Sequence, residues 1–179
     1  MKPTSVQRFF LPAALLTSLT LPPLASAQYR LPDLVSVARA DSLHLAAIAM
    51  SRTPGRWGDA ARLHRQSAAL RAPEDTMGYR CYWESAQLSY GKDDLSSARA
   101  SMVKAAAQAL ARGDIVKAAD AYADAAWLAD QQHKPREVWK LGRQSEVLAV
   151  SPLLSREQRE AILKRFVHAH DDLAVVARR

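Results

Sequence analysis

A single cysteine, Cys81, leaves the chain without an intramolecular disulfide framework and without a cysteine-rich zinc module. Glycine is scarce, at six residues, and aromatics make up 7% of the sequence. That poverty speaks against an all-β sandwich, which needs β-branched and aromatic strands joined by glycine turns. The Gly-x-Ser-x-Gly elbow and the glycine-rich phosphate loop are both missing, so two common routes to hydrolysis and nucleotide binding are closed. Charge is modest too. The charged fraction, 24%, is below that of a disordered polyelectrolyte, while the apolar fraction, 49%, is ordinary for a globular protein of 179 residues.

What is abundant is alanine, at 34 positions. Alanine loses almost nothing on entering a helix, so the composition favours an all-α chain. The segment from Met1 to Ala27 stands apart from it. Lys2 and Arg8 precede an uncharged apolar core from Phe9 to Leu21, Pro22 and Pro23 break that core, and Ala25-Ser26-Ala27 offers small residues at a cleavage site. This layout predicts a secretory signal peptide cleaved after Ala27, and hence a periplasmic or secreted protein. An uncleaved membrane anchor is the alternative, and it alone would bring the chain to a membrane. No later segment is expected to span a bilayer. Loss of Lys2 and Arg8 lowers the formal charge from +7 to +5. The positive residues are scattered: Arg56, Arg62, Arg65 and Arg71 fall on different sides of a helix turning about 100° per residue, so they read as solvated charges and not as a nucleic-acid surface.

Proline and glycine punctuate the rest. Pro32, Pro54, Pro73, Pro135 and Pro152, with Gly55, Gly58, Gly78, Gly91 and Gly113, bound stretches of helical periodicity. Seven helices are predicted, over 33–51, 57–72, 76–90, 94–111, 114–132, 135–150 and 155–176. Their apolar stripes are explicit. The second carries Trp57, Ala60, Ala61, His64 and Ala68, and the third Tyr79, Tyr82, Trp83, Ala86 and Tyr90. The fourth carries Leu95, Ala98, Met102, Ala105, Ala106 and Ala109. The fifth runs Ile115, Ala118, Ala119, Tyr122, Ala125, Ala126 and Ala129, with Lys117, Asp120, Asp124 and Gln131 opposite as solvated surface. Ser155 to Gln158 fits a capping box opening the seventh, whose stripe is Ile162, Phe166, Ala169, Leu173 and Val176.

A repeat shows through this pattern. Gly113-Asp114, then Ala118, Tyr122 and Ala125, resembles the second helix of a tetratricopeptide repeat, where a Gly-Asp turn leads to small, aromatic and small positions. Gly55 to Ala61 with His64 and Ser67 echoes it, histidine taking the aromatic place, and Leu95, Ala98, Met102 and Ala105 echo it more faintly. Leu141-Gly142 looks like the Leu-Gly pair of a first repeat helix. The spacing departs from the family, because Ala98 and Ala118 stand much closer in sequence than the about 34 residues of this repeat type. The resemblance implies antiparallel hairpins stacked as a short TPR-like superhelix, with a plain helical bundle as the alternative.

Residues with chemistry are few. Cys81 lies on the inner half of an aromatic-rich helix, where a free thiol behaves as a small apolar group. His64 reads as a hydrogen-bonded core histidine, and His44 and His133 have no partner in sequence. His168, His170, Asp171 and Asp172 are the one metal-like run. On a helix, His168 and His170 point about 200° apart, two steps of about 100° each, so no metal and no cofactor is expected there. The sixth helix is different. Val138, Leu141, Gly142, Ser145, Leu148 and Ala149 suffice to pack it, while Trp139, Arg143, Glu146 and Val150 form a second stripe. On the resemblance, that stripe corresponds to the groove-lining side of the superhelix, and tryptophan and arginine are the types that anchor interfaces. Trp139, Arg143 and Glu146 are thus the candidate partner-binding residues, and packing on a neighbouring repeat is their other explanation.

The expectation is an exported, non-enzymatic module that binds a protein or peptide in the cell envelope, without nucleic acid. Two rivals stand beside it. One is a small enzyme or metal-dependent envelope factor whose site assembles from distant residues such as His44, His64 or Cys81, and the other is an adaptor held by its uncleaved N-terminus.

Overall fold

The computed structural model describes residues 34–164, all of whose regular elements are helices. They are α1 (Leu34–Ser51), α2 (Trp57–Ala69), α3 (Thr76–Tyr90), α4 (Leu95–Ala111), α5 (Ile115–Gln131), α6 (Pro135–Ala149) and α7 (156–164). The all-α fold class is thereby established, and the helix ends follow the punctuation marks closely. Phe166, Ala169, Leu173 and Val176 of the predicted seventh stripe lie outside the described residues.

Most of the later helix starts have a chemical cause. Asp75, Asp94 and Asp114 cap α3, α4 and α5, their carboxylates accepting from the backbone N–H of Met77, Ser97 and Lys117. Pro135 opens α6 where a missing N–H costs nothing. Ser155 and Gln158 form the expected reciprocal pair, with Gln158 N donating to Ser155 Oγ at 3.1 Å and Ser155 N to Gln158 Oε1 at 2.9 Å.

The turns recur at a fixed interval along the chain. Asp94 N donates to Ser89 O, Asp114 N to Ala109 O and Lys134 N to Ala129 O, at 2.9, 2.9 and 3.0 Å. In each turn the residue before the cap is left-handed: Asp93, Gly113 and His133, with φ of 63°, 71° and 53°. The buried positions keep the same register. Gly78, Ala98, Ala118 and Val138 are equivalent; so are Cys81, Ser101, Ala121 and Leu141, and so are Ser85, Ala105, Ala125 and Ser145. The same register relates Ala40, His44 and Ala47 of α1 to Ala60, His64 and Ser67 of α2. One helix and one turn make the unit, which accounts for the mismatch with the longer two-helix period of a tetratricopeptide repeat.

Short connections make successive helices antiparallel, and the extensive helix–helix packing joins sequence neighbours from α1·α2 through α5·α6. Among the described residues, 18 of the 27 buried apolar side chains are alanine. Small side chains bring helix backbones close together, and buried serines exploit the closeness. Ser67 Oγ donates to Ala40 O at 2.7 Å and Ser145 Oγ to Ala119 O at 2.9 Å, each tying a helix to its neighbour. Tyr82, Met102, Tyr122, Leu128, Val138 and Leu141 supply the bulk of the main core, and Ile162 and Leu154 anchor a smaller cluster with Ala119 and Ala149.

Several expectations change, beginning with Trp57, which the α2 stripe placed inward and which is 41% exposed, its indole N–H donating to Ser51 O. The inward side of α3 is Gly78, Cys81, Tyr82, Ser85, Ala86 and Ser89, while Trp83 and Tyr90 are exposed, because serines that read as polar pack against helices too close for aromatics. Arg71 is not solvated: its side chain is 3% exposed and bonds Asp41 Oδ1 at 2.6 Å and Asp75 Oδ2 at 2.9 Å, partners brought from α1 and the α3 cap. Finally, α1 is by length and composition apolar enough to cross a membrane, contrary to the expectation for later segments. Here it lies on α2, burying Ala40, His44 and Ala47.

Candidate functional site

Two places in the fold gather chemistry. The first is a buried cluster where α1, α2 and α3 meet. His44 comes from α1, His64 from the equivalent position of α2, and Cys81 and Glu84 from successive turns of α3. His44 Nδ1 lies 3.3 Å from His64 Nδ1 and 3.4 Å from Cys81 Sγ. All three atoms fall within 4.8 Å of one another. The residues are deeply buried, at 8% exposure for His44, 2% for His64 and none for Cys81.

Around them sits a polar shell. Ser67 Oγ is 3.6 Å from Cys81 Sγ. Glu84 Oε2 approaches His64 Nε2 at 3.3 Å and His44 Nδ1 at 3.8 Å. It is buried and makes no aligned hydrogen bond. The other Glu84 oxygen accepts from Arg80 Nε at 2.8 Å. Burial holds both imidazoles below their ordinary pKa, against the pull of Glu84, and it pushes the Cys81 thiol up, against Ser67 and Arg71. These directions favour two neutral rings and a protonated thiol beside Glu84. A nucleophilic cysteine needs access and a thiolate; Cys81 has neither in this arrangement.

In the sequence these residues stand singly. His64 is indeed a core histidine, and His44, without a partner in sequence, has two in space. The available clue was the repeat register, which puts His44 and His64 at one position of adjacent helices.

The second place is a groove between α4 and α6. It has a volume of about 300 Å³ and is lined by Leu110, Tyr122, Arg143, Gln144, Val147 and Leu148. The packing side of α6 is as expected, with Val138, Leu141, Gly142, Ser145 and Ala149 buried. Of the three candidate partner-binding residues, Arg143 lines the groove. Glu146 accepts from Arg143 Nη1 at 2.7 Å, and Trp139, 64% exposed, lies along the same helix outside the groove lining. Leu110 and Val147, which the sequence reading did not single out, supply its exposed apolar walls.

Other sequence candidates come to less. The Ser-x-x-Lys spacing, not among the sequence candidates, occurs at Ser89–Lys92 and Ser101–Lys104; Ser101 lies against Ser85 Oγ at 3.3 Å while Lys104 lies over the Tyr82 ring, and Ser89 Oγ accepts from Arg65 Nη1 at 3.5 Å. Asp120 and Asp124 are half-buried, and their charges add to the burial that raises the Tyr79 hydroxyl pKa. His168, His170, Asp171 and Asp172 lie outside the described residues.

No protein family, curated protein or solved structure among those compared matches the chain.

Proposed function

We propose that the chain is an exported, non-enzymatic helical-repeat module that holds a protein or peptide segment in the groove between α4 and α6. The observation that carries this reading is the groove itself, an apolar trough of about 300 Å³ with the Arg143 guanidinium on its wall. Alternate helices of an antiparallel row share one side, so α4 and α6 flank α5, and Tyr122 of α5 forms part of the lining. On the tetratricopeptide resemblance this would be the ligand-receiving side, and the groove suits an extended segment with apolar side chains. Trp139 and Val147 continue the apolar surface along α6, beyond what a packed helix needs.

Export rests on the Met1–Ala27 pattern of basic start, apolar core and small-residue cleavage site. Intact mass of the protein recovered from the envelope tests that part, since cleavage starts the chain at Gln28. The groove is tested by capture from envelope extract with wild type and with the double substitution Trp139→Ala and Arg143→Ala. Capture is expected to fall at least tenfold while the melting temperature moves by no more than a degree or two, because interface anchors act on the complex. Unchanged capture by the double variant would overturn the reading.

A further inference from the structure

The buried cluster of α1, α2 and α3 has the chemistry of a metal centre. A tetrahedral zinc ion with Zn–N of about 2.0–2.1 Å and Zn–S of about 2.3 Å sets its nitrogen ligands about 3.3 Å apart and nitrogen and sulfur about 3.5 Å apart. The His44 Nδ1–His64 Nδ1 and His44 Nδ1–Cys81 Sγ distances are 3.3 and 3.4 Å. His44 Nδ1 is thus at ligand spacing from both partners, while His64 and Cys81, within 4.8 Å of each other, must close toward about 3.5 Å when an ion binds between them.

We propose that His44, His64 and Cys81 bind one divalent, borderline-soft transition-metal ion, zinc in the first instance, with Glu84 as the outer carboxylate. Donor type selects the metal: imidazole nitrogen and thiolate suit zinc and its neighbours, whereas calcium and magnesium require oxygen. Charge balance agrees. A divalent ion, the thiolate it creates by displacing the Cys81 proton, and the Glu84 carboxylate sum to zero in a place with little water. Glu84 Oε2 is buried and makes no aligned hydrogen bond. It faces His64 Nε2, which keeps the proton on that nitrogen and leaves the Nδ1 lone pair for the metal, as carboxylates commonly do behind ligating histidines. The three ligands come from three consecutive helices, so the ion would clip α1 and α2 to α3 and act on stability. This inference is independent of the α4–α6 groove.

The competing account is a metal-free network, in which His44 Nδ1–H donates to His64 Nδ1 and the Cys81 thiol to Ser67. One experiment separates the two. Full-length chain stripped with chelator is titrated with Co²⁺ alone and then with Zn²⁺. The expected result is one Co²⁺ per chain, with a thiolate-to-cobalt charge-transfer band in the near ultraviolet that Zn²⁺ abolishes mole for mole. With one cysteine in the sequence, that band can arise only at Cys81. Zinc should also raise the melting temperature by several degrees at a hundredfold excess over its Kd. Glu84→Gln should keep the band and weaken zinc about 10- to 100-fold, and Cys81→Ala should lose the band while retaining its helical circular dichroism. His168→Gln with His170→Gln should leave the band intact. Absence of the charge-transfer band in the wild-type chain overturns the proposal, whether no metal is taken up or metal binds elsewhere. That readout does not depend on any variant folding.

Discussion

Truncating Tyr122 to alanine isolates what the core of this fold is made of. Tyr122 is 8% exposed and belongs to the main cluster, whose other large members are Tyr82, Met102, Leu128, Val138 and Leu141 and whose remainder is mostly alanine. Buried aromatic truncations cost about 3–5 kcal/mol, combining lost transfer energy with the cavity left behind. One edge of Tyr122 borders the α4–α6 groove, so part of the vacated space opens to solvent, and the lower figure, about 3 kcal/mol, applies. For a chain of this length that corresponds to a fall of about 6–12 °C in melting temperature. Trp139→Ala is the matched control. It removes a larger ring, but one that is 64% exposed, and should cost under about 0.5 kcal/mol. Urea and thermal melts followed by circular dichroism measure both. Equal losses, or a larger loss for Trp139, would show that α6 packs through the wrong face in this account and would remove the basis for reading Trp139 as a free anchor.

Two further outcomes follow from the turns. Asp114 accepts from the backbone N–H of Lys117; burial opposes its charge, but that bond and the Lys117 and Arg112 charges keep its pKa below the usual carboxylate value. Its contribution should therefore be complete above the unfolded carboxylate pKa and fade as pH falls through the lower folded value, and Asp114→Ala should cost about 1 kcal/mol at neutral pH but far less in acid urea melts. Gly113 and His133 occupy equivalent left-handed positions, so Gly113→Ala should destabilise by about 1 kcal/mol with no clash involved, while His133→Gly should stabilise by up to about 0.5 kcal/mol; the same sign for both would contradict the equivalence.

The helices were legible because their boundaries are written locally. A proline at the first turn, an aspartate cap and a left-handed glycine act within a single turn of themselves, so Pro135, Asp114 and Gly113 could be read without knowing the fold. The packing face of α6 was legible for a related reason: its apolar and small residues at helical spacing left Trp139 and Arg143 on the other side. What stayed hidden depends on partners far along the chain. Arg71 is charged, and only its pairing with Asp41, on a different helix, offsets the cost of burying it. Ser85 and Ser89 look like surface, and they are inside because α3 lies against helices lined with alanine and serine. His44, His64 and Cys81 share no local motif. Their one trace in sequence is that His44 and His64 are separated by the same interval as Ala98 and Ala118. That interval acquires meaning only once each helix is known to repeat its predecessor.

The register also explains why the cluster sits where it does. In a row of helices that touch mainly their sequence neighbours, stability is close to a sum of adjacent interfaces. The interfaces from α3 to α6 are supplied with Met102, Tyr122, Leu128, Val138 and Leu141. The α1 interface fully buries only Ala40 and Ala47 among its apolar side chains, neither in the main apolar cluster, with Leu43, Ile48 and Met50 half-buried. Its specific links to the rest are polar, namely the Ser67 bond to Ala40 O, the Asp41–Arg71 ion pair and the contact of His44 with His64 and Cys81. Buried polar groups stabilise only when each finds its partner, and they destabilise when one does not. Of these attachments, the contact of His44 with His64 and Cys81 is the one whose state a metal ion would change. An ion satisfying both Nδ1 atoms, the thiolate and the charge of Glu84 at once would convert the most polar interface of the row into a cross-link.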